Sequence, residues 1–192
     1  MQDPPEPPRS HPSRLAPLDK ALVRVDSLPL RVTLCDPWTP EALYRCNSEN
    51  LDLLHAIAAF DQAPREPHDE HASLAGELAR LDAKLRLVLR LLARQLAPNL
   101  PPPCDVRLGA EQLSWLGPPV GTPGAHAVAE LYVSPVVVEP LRLPGILLAG
   151  APPEERQTWQ ALRFQGLSAA LVDALEQHVF LHHRRAIAQA RS

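Results

Sequence analysis

Leucine recurs at heptad spacing in a part of the chain that contains no proline. Proline inside a helix costs about 3 kcal/mol, so long proline-free windows are where long helices can form. None of the 23 prolines falls between His68 and Ala97. The apolar residues of that window are spaced 4, 3, 4, 3 and 4 apart, a period of about 3.5 that is typical of helices associating side by side. They are Leu74, Leu78, Leu81, Leu85, Val88 and Leu92.

This repeat predicts an oligomerisation helix over residues 69–96. Acidic residues open the window and arginines close it, which suits the helix dipole, and Pro98 ends it. A second apolar face near its C-terminal end can meet the rest of the chain while the heptad face meets other chains. That second face consists of Leu87, Leu89, Leu91 and Leu96.

A helix is also predicted from Thr39 to about Asp61. Thr39 is a good N-cap, and Pro40 suits the first helical position. Its seam repeats at similar spacing but includes two asparagines, Asn47 and Asn50. Two interpretations stay open: the asparagines are buried on a helix–helix seam and fix its register, or they face water.

The first 27 residues contain six prolines and few apolar side chains. They predict a disordered tail. Residues 28–34 then alternate apolar and polar side chains, which indicates a short edge strand. We divide the chain into this tail (1–27), a strand with two helices (28–97), and a third region from 98 to 192.

From Cys104 onward the pattern changes to short alternating strands separated by Pro/Gly turns. Pro144 and Gly145 indicate a bulge or an edge position in one of them. The predicted strands cover residues 105–108, 112–116, 127–133, 140–148 and 158–165. A final helix from Ser168 to Gln189 can cover them. The fold class is therefore α+β, a small antiparallel β-barrel with long coiled-coil-type helices before it and a covering helix after it.

Bulk properties and missing motifs exclude several functions. A net charge of −3 with an isoelectric point near 6.2 argues against DNA binding. No apolar run is long enough to insert into a membrane. The three cysteines form no metal or disulfide pattern. His178 and His182 lie four apart and could share a zinc ion, but exposed polar side chains are the simpler interpretation. No catalytic motif is present, so we expect neither an enzyme nor a metal or cofactor.

Arg86, Arg90 and Arg94 share one face of the heptad helix because they are four residues apart. Like charges at this spacing repel each other. One interpretation is that they compensate the helix dipole and aid solubility. The other is an anion site, because arginine guanidinium groups match phosphate oxygens.

Four segments together resemble the PilZ family, and more specifically its atypical members. They are Val106–Gly117, Ala129–Pro135, Pro140–Gly150 and Arg163–Gln189. The resemblance covers most of residues 28–190. It implies a PilZ barrel, a role in cyclic di-GMP signalling, and long helices that form a homotetramer.

Ordinary PilZ domains bind cyclic di-GMP through RxxxR and [DN]xSxxG. Arg90–Arg94 matches the first motif, whereas Arg107, Gly109 and Gln112 replace the defining residues of the second. If the nucleotide binds, we expect Arg90, Arg94 and Arg107 to contact its phosphates. The resemblance implies a cytoplasmic, non-enzymatic receptor or adaptor that acts by ligand and protein binding. The alternative is an oligomerising scaffold that presents barrels to a protein partner without nucleotide.

Overall fold

The computed structural model describes residues 22–61, 72–96, 99–149 and 158–190. Within them the chain forms six strands and three helices. The strands are β1 (Arg24–Leu34), β2 (Pro103–Leu108), β3 (Gln112–Gly117), β4 (His126–Leu131), β5 (Leu141–Leu147) and β6 (Thr158–Phe164). The helices are α1 (Pro40–Asp61), α2 (Ala72–Leu96) and α3 (Ala169–Ala190).

The six strands close into an antiparallel barrel in the order β1, β2, β3, β6, β5, β4. The predicted α+β fold with a small barrel is therefore confirmed. Alternating residues fill the interior, so that Val106 and Leu108 of β2 are completely buried while Arg107 between them is exposed. This is the period of two that a half-buried strand requires.

β1 is longer and more central than the sequence predicted. It begins at Arg24, so residues 24–27 belong to a strand and the prediction of a disordered tail through residue 27 is wrong. Residues 1–21 lie outside the described residues. β1 pairs with β2 on one side and β4 on the other, so it is not an edge strand. The barrel therefore contains strands from both sides of the domain boundary predicted at residue 97, because β1 precedes that residue and the other five strands follow it.

Gly145 allows β5 and β6 to approach each other closely. A Cβ atom at this position would lie 2.2 Å from the backbone oxygen of Arg163. Gly145 pairs with Ala127 of β4 and Phe164 of β6, so it is neither in a bulge nor at an edge. The glycine that was predicted to interrupt the strand instead allows β5 to pair closely with β6.

α1 begins as predicted, because the Thr39 hydroxyl accepts a hydrogen bond from the Ala42 amide at 3.3 Å. Both interpretations are wrong for Asn50, whereas Asn47 is half-buried. Asn50 is buried against β5, where its side chain donates to the Arg142 carbonyl at 2.7 Å and accepts from the Arg142 amide at 2.9 Å. Asn47 donates to the Gly166 carbonyl at 2.9 Å. The backbone of β5 thus bonds the Asn50 amide, and the segment between β6 and α3 accepts from Asn47.

α3 covers the barrel together with α1. The Ser168 hydroxyl caps its first turn by accepting from the Leu171 amide. Leu171, Leu175 and Val179 follow at helical spacing and are almost completely buried. Each such side chain contributes about 1.5–3 kcal/mol to folding. α3 packs against α1 and touches β1, which confirms the predicted covering role.

The long helix predicted in the heptad window is confirmed and is α2. Residues 69–71 of the predicted span lie outside the described residues. Among its residues whose side chains are described, only Ala93 is buried. Asp82 and Leu89 are half-buried, and the other described side chains of the helix are exposed in the single chain. α2 thus contributes little to the core of the barrel.

Candidate functional site

Arg107 lies on the outer surface of the barrel beside an aromatic ring. It pairs in register with Val25 of β1 and Ser114 of β3, and its side chain points outward. Its guanidinium carbon lies 4.2 Å from the centre of the Trp159 ring on β6. A cation over an aromatic face at this distance is worth about 0.5–1 kcal/mol at an exposed site. The contact therefore favours a position of the exposed guanidinium over the face of the indole.

The other two altered motif positions lie in the tight turn between β2 and β3. The Gly109 amide donates to the Gln112 carbonyl at 2.9 Å, which closes the turn. Gly109 is buried, and Nε2 of Gln112 is buried without a hydrogen-bond partner among the described residues. The turn thus offers no free amide at Gly109 for a phosphate.

Arg90 and Arg94 lie in α2, four residues apart. Their side chains, like that of Arg86, fall outside the described residues. Arg107 therefore lies on the barrel, whereas the other two residues predicted to bind the nucleotide lie in helix α2. Whether the three meet at one ligand stays a prediction.

The heptad face of α2 is exposed in the single chain. The exposed fraction is 51–59% at each of its described positions, although these side chains are large and apolar. Those positions are Leu78, Leu81, Leu85, Val88 and Leu92. We call this set the α2 stripe. The side chain of Leu74, the sixth predicted member, lies outside the described residues.

A buried polar cluster joins β1, α1 and α3. Arg24 of β1 is 6% exposed and contacts Asp26, the Val133 carbonyl and His178. His178 is 8% exposed, so the prediction that it is an exposed polar residue is wrong. Burial, followed by the charges of His182 and Arg24, lowers the pKa of His178 to about 3, and Arg185 adds a smaller effect. The histidine is therefore a neutral hydrogen-bond acceptor.

His182 lies one turn further along α3, with its ring centre 4.5 Å from that of His178. Burial, followed by the charge of Arg24, lowers its pKa as well. Its Nε2 is 3.8 Å from the Asp61 carboxylate, which is too far for a hydrogen bond, whereas Arg185 pairs directly with Asp61. Sequence reasoning missed this cluster because Arg24 fell within the expected tail.

The described residues contain no group of three or more His, Cys, Asp or Glu side chains arranged to hold a metal ion. Across the same ranges, every helix is too short or too polar to cross a bilayer.

The fold is thus a closed antiparallel barrel covered by two helices, with a third helix that exposes an apolar stripe in the single chain. The chain belongs to the atypical PilZ domain family, described as cyclic di-GMP receptors, whose model matches residues 54–192. The resemblance inferred from the sequence is confirmed. β1 and the start of α1 precede the matched range.

The chain is also similar to a solved structure from Xanthomonas campestris. That protein is described as a new tetrameric PilZ domain self-assembled via an unusual helical bundle. The two share 29% sequence identity over 88% of this chain and 89% of that one, with a TM-score of 0.65. No curated protein matches this chain.

Proposed function

We propose that this chain is a non-enzymatic regulatory protein of cyclic di-GMP signalling, acting in the cytoplasm by ligand and protein binding as a homo-oligomer. The observation that carries the proposal is the α2 stripe, exposed on a chain whose family is described as cyclic di-GMP receptors. A receptor of this kind changes its affinity for a protein partner and needs no catalytic group.

Assembly through α2 follows from the cost of leaving its stripe in water. The stripe has five described apolar members, each more than half exposed. Burying a leucine contributes about 1.5–3 kcal/mol per chain, so several layers can exceed the cost of association. The tetrameric helical bundle of the Xanthomonas campestris protein supports the same assembly here, a homotetramer.

The nucleotide surface is proposed around Arg107. Its exposed guanidinium can pair with a phosphate, and the adjacent Trp159 ring provides an aromatic plane for a guanine base. Arg90 and Arg94 supply further positive charge with the spacing of the first motif. The cyclic di-GMP ligand contains both phosphates and guanine bases, so these groups match its chemistry.

A second function is favoured by one observation at the β2–β3 turn. The Gly109 amide is already bonded to the Gln112 carbonyl, and three motif residues are replaced. Under this alternative the chain is an oligomerising scaffold that presents its barrels to a protein partner without nucleotide. The α2 stripe serves both functions equally, so assembly does not distinguish them.

Calorimetric titration with cyclic di-GMP separates the two functions. We expect saturable binding by the native chain and its loss when Arg90 and Arg94 are both changed to Ala. Arg31→Ala is a matched control, because Arg31 is an exposed barrel arginine paired with Glu130 at 3.4 Å. Absence of heat from the native chain would favour the scaffold. Unchanged affinity in the double variant would place the nucleotide elsewhere.

A further inference from the structure

A large cavity lies between α2 and the barrel. Its volume is about 770 Å³, and it is partly open to solvent. Pockets of about 300–1,000 Å³ are the size that small molecules occupy in proteins. On one side Leu87 and Leu91 of α2 form its wall, and on the other side lie β1 and the segment that follows β4. We call it the α2–barrel cavity.

Most of the cavity lining is apolar and includes Leu28, Val136 and Val138 in addition to the leucines of α2. Leu87 and Leu91 remain 57% and 51% exposed, so the side chains of α2 do not fill the cavity. The second apolar face predicted for α2 therefore does turn toward the barrel at these two positions. The hydrophobic surface left there is available to an apolar ligand.

Polar groups gather in part of the lining, where Arg24, Asp26, Ser27, Ser134 and His182 are found. The Arg24 guanidinium is already paired with Asp26 at 2.6 Å, so their charges cancel. Burial and Arg24 lower the pKa of His182, which keeps that ring neutral at physiological pH. This part of the cavity can form hydrogen bonds but provides no net charge to hold an anion.

We propose that the α2–barrel cavity binds a neutral amphipathic small molecule, with its apolar body between α2 and the barrel and its polar group near Ser27 and Ser134. A large apolar pocket with a few convergent polar groups is the usual form of a small-molecule site. A charged ligand would lose its hydration without gaining a partner charge.

This site is separate from the surface proposed for cyclic di-GMP. Arg107 and Trp159 do not line the cavity, and they lie on the outer surface of the barrel. The inference therefore stands whether or not cyclic di-GMP binds. A molecule in the cavity would contact α2 and β1 together, so its occupancy would fix the position of the helix that carries the α2 stripe.

The test uses N-phenyl-1-naphthylamine, a neutral amphipathic dye whose fluorescence rises in apolar surroundings. We expect saturable binding of one dye per chain to the full-length protein. Val136→Trp fills the cavity and should weaken binding about tenfold or more. Val25→Trp is the matched control, since Val25 is 70% exposed and does not line the cavity, and it should bind as the native chain does.

Three outcomes overturn the proposal: non-saturable dye binding, equal affinity in the two tryptophan variants, and absence of dye binding by the native oligomer. If the dye does not bind and the molar mass of Val136→Trp also falls, as measured by light scattering, a second copy of the chain occupies the cavity. Circular dichroism of both variants confirms that each is folded. Cyclic di-GMP titration of the native chain and of Val136→Trp reports separately on the nucleotide surface, because Val25 pairs with Arg107 and its variant could disturb that surface.

Discussion

Nη1 of Arg24 lies 2.8 Å from Nε2 of His178, joining β1 to α3 across 154 residues of sequence. Arginine can only donate hydrogen bonds, so His178 accepts through Nε2 and carries its proton on Nδ1. Protonating Nε2 would break this bond and place a second cation beside the guanidinium. The contact therefore requires a neutral histidine, in agreement with the lowered pKa of His178, about 3.

The first prediction concerns stability against pH. His178 has a folded pKa of about 3 and an ordinary value of 6.5. Because the unfolded chain takes up the proton first, the stabilisation is fully present above pH 6.5 and is lost as the pH falls toward 3. Between about pH 7.5 and 4.5 this residue should remove about 2–3 kcal/mol from the free energy of unfolding. Urea denaturation across this range measures the loss.

His178→Gln is the control for this effect. Glutamine can still accept a hydrogen bond from Arg24 but does not titrate, so the fall in unfolding free energy should become shallower by the same amount. His182 also has a lowered pKa and should retain part of the slope. An unchanged slope in His178→Gln would mean that other groups cause the acid sensitivity.

The second prediction compares two glycine substitutions. Gly145→Ala places a Cβ 2.2 Å from the Arg163 oxygen, so β5 and β6 must separate. We expect a loss of about 1–3 kcal/mol in unfolding free energy, as for other overpacked core sites. Gly76→Ala is the matched change in α2, where a Cβ meets no atom within 4 Å. It should be neutral or raise stability by up to about 1 kcal/mol, because glycine disfavours helix.

Thermal unfolding monitored by circular dichroism ranks these two variants against the native chain. A Gly145→Ala protein as stable as Gly76→Ala would show that the strands can move apart without cost. That result would remove close strand approach as the reason for glycine at this position.

The third prediction concerns assembly. Replacing Leu81 and Leu85 with Asp puts charge on the α2 stripe, which an assembled bundle would have to bury. Both side chains are more than half exposed in the single chain, so the barrel should remain folded. Light scattering should give a multiple of the 21.1 kDa chain mass for the native protein and the mass of one chain for the variant.

Leu34→Asp controls for added charge, because Leu34 is 53% exposed on β1 and lies outside the α2 stripe. It should keep the native mass. A native protein of 21.1 kDa would contradict assembly altogether. A Leu81/Leu85 variant with the native mass would assign the assembly to another surface.

Local sequence patterns determined most of the secondary structure. Proline-free windows predicted α2 and α3, the Thr39 cap predicted the start of α1, and alternation predicted the strands from Cys104 onward. These features depend on neighbours a few residues apart, so a single sequence contains them. The sequence also predicted that the members of the α2 stripe share one face of the helix, because they follow heptad spacing.

Only the tertiary structure decided what the polar residues do. Asn50 matched a helix–helix seam in sequence, yet its amide is bonded to the backbone of Arg142. Arg24 belonged to a proline-rich segment, yet β1 extends back to include it and His178 accepts from it. Such partners lie roughly 90 or more residues away, where barrel closure brings them together. A buried polar group must find a partner, but nothing in its local sequence specifies which one.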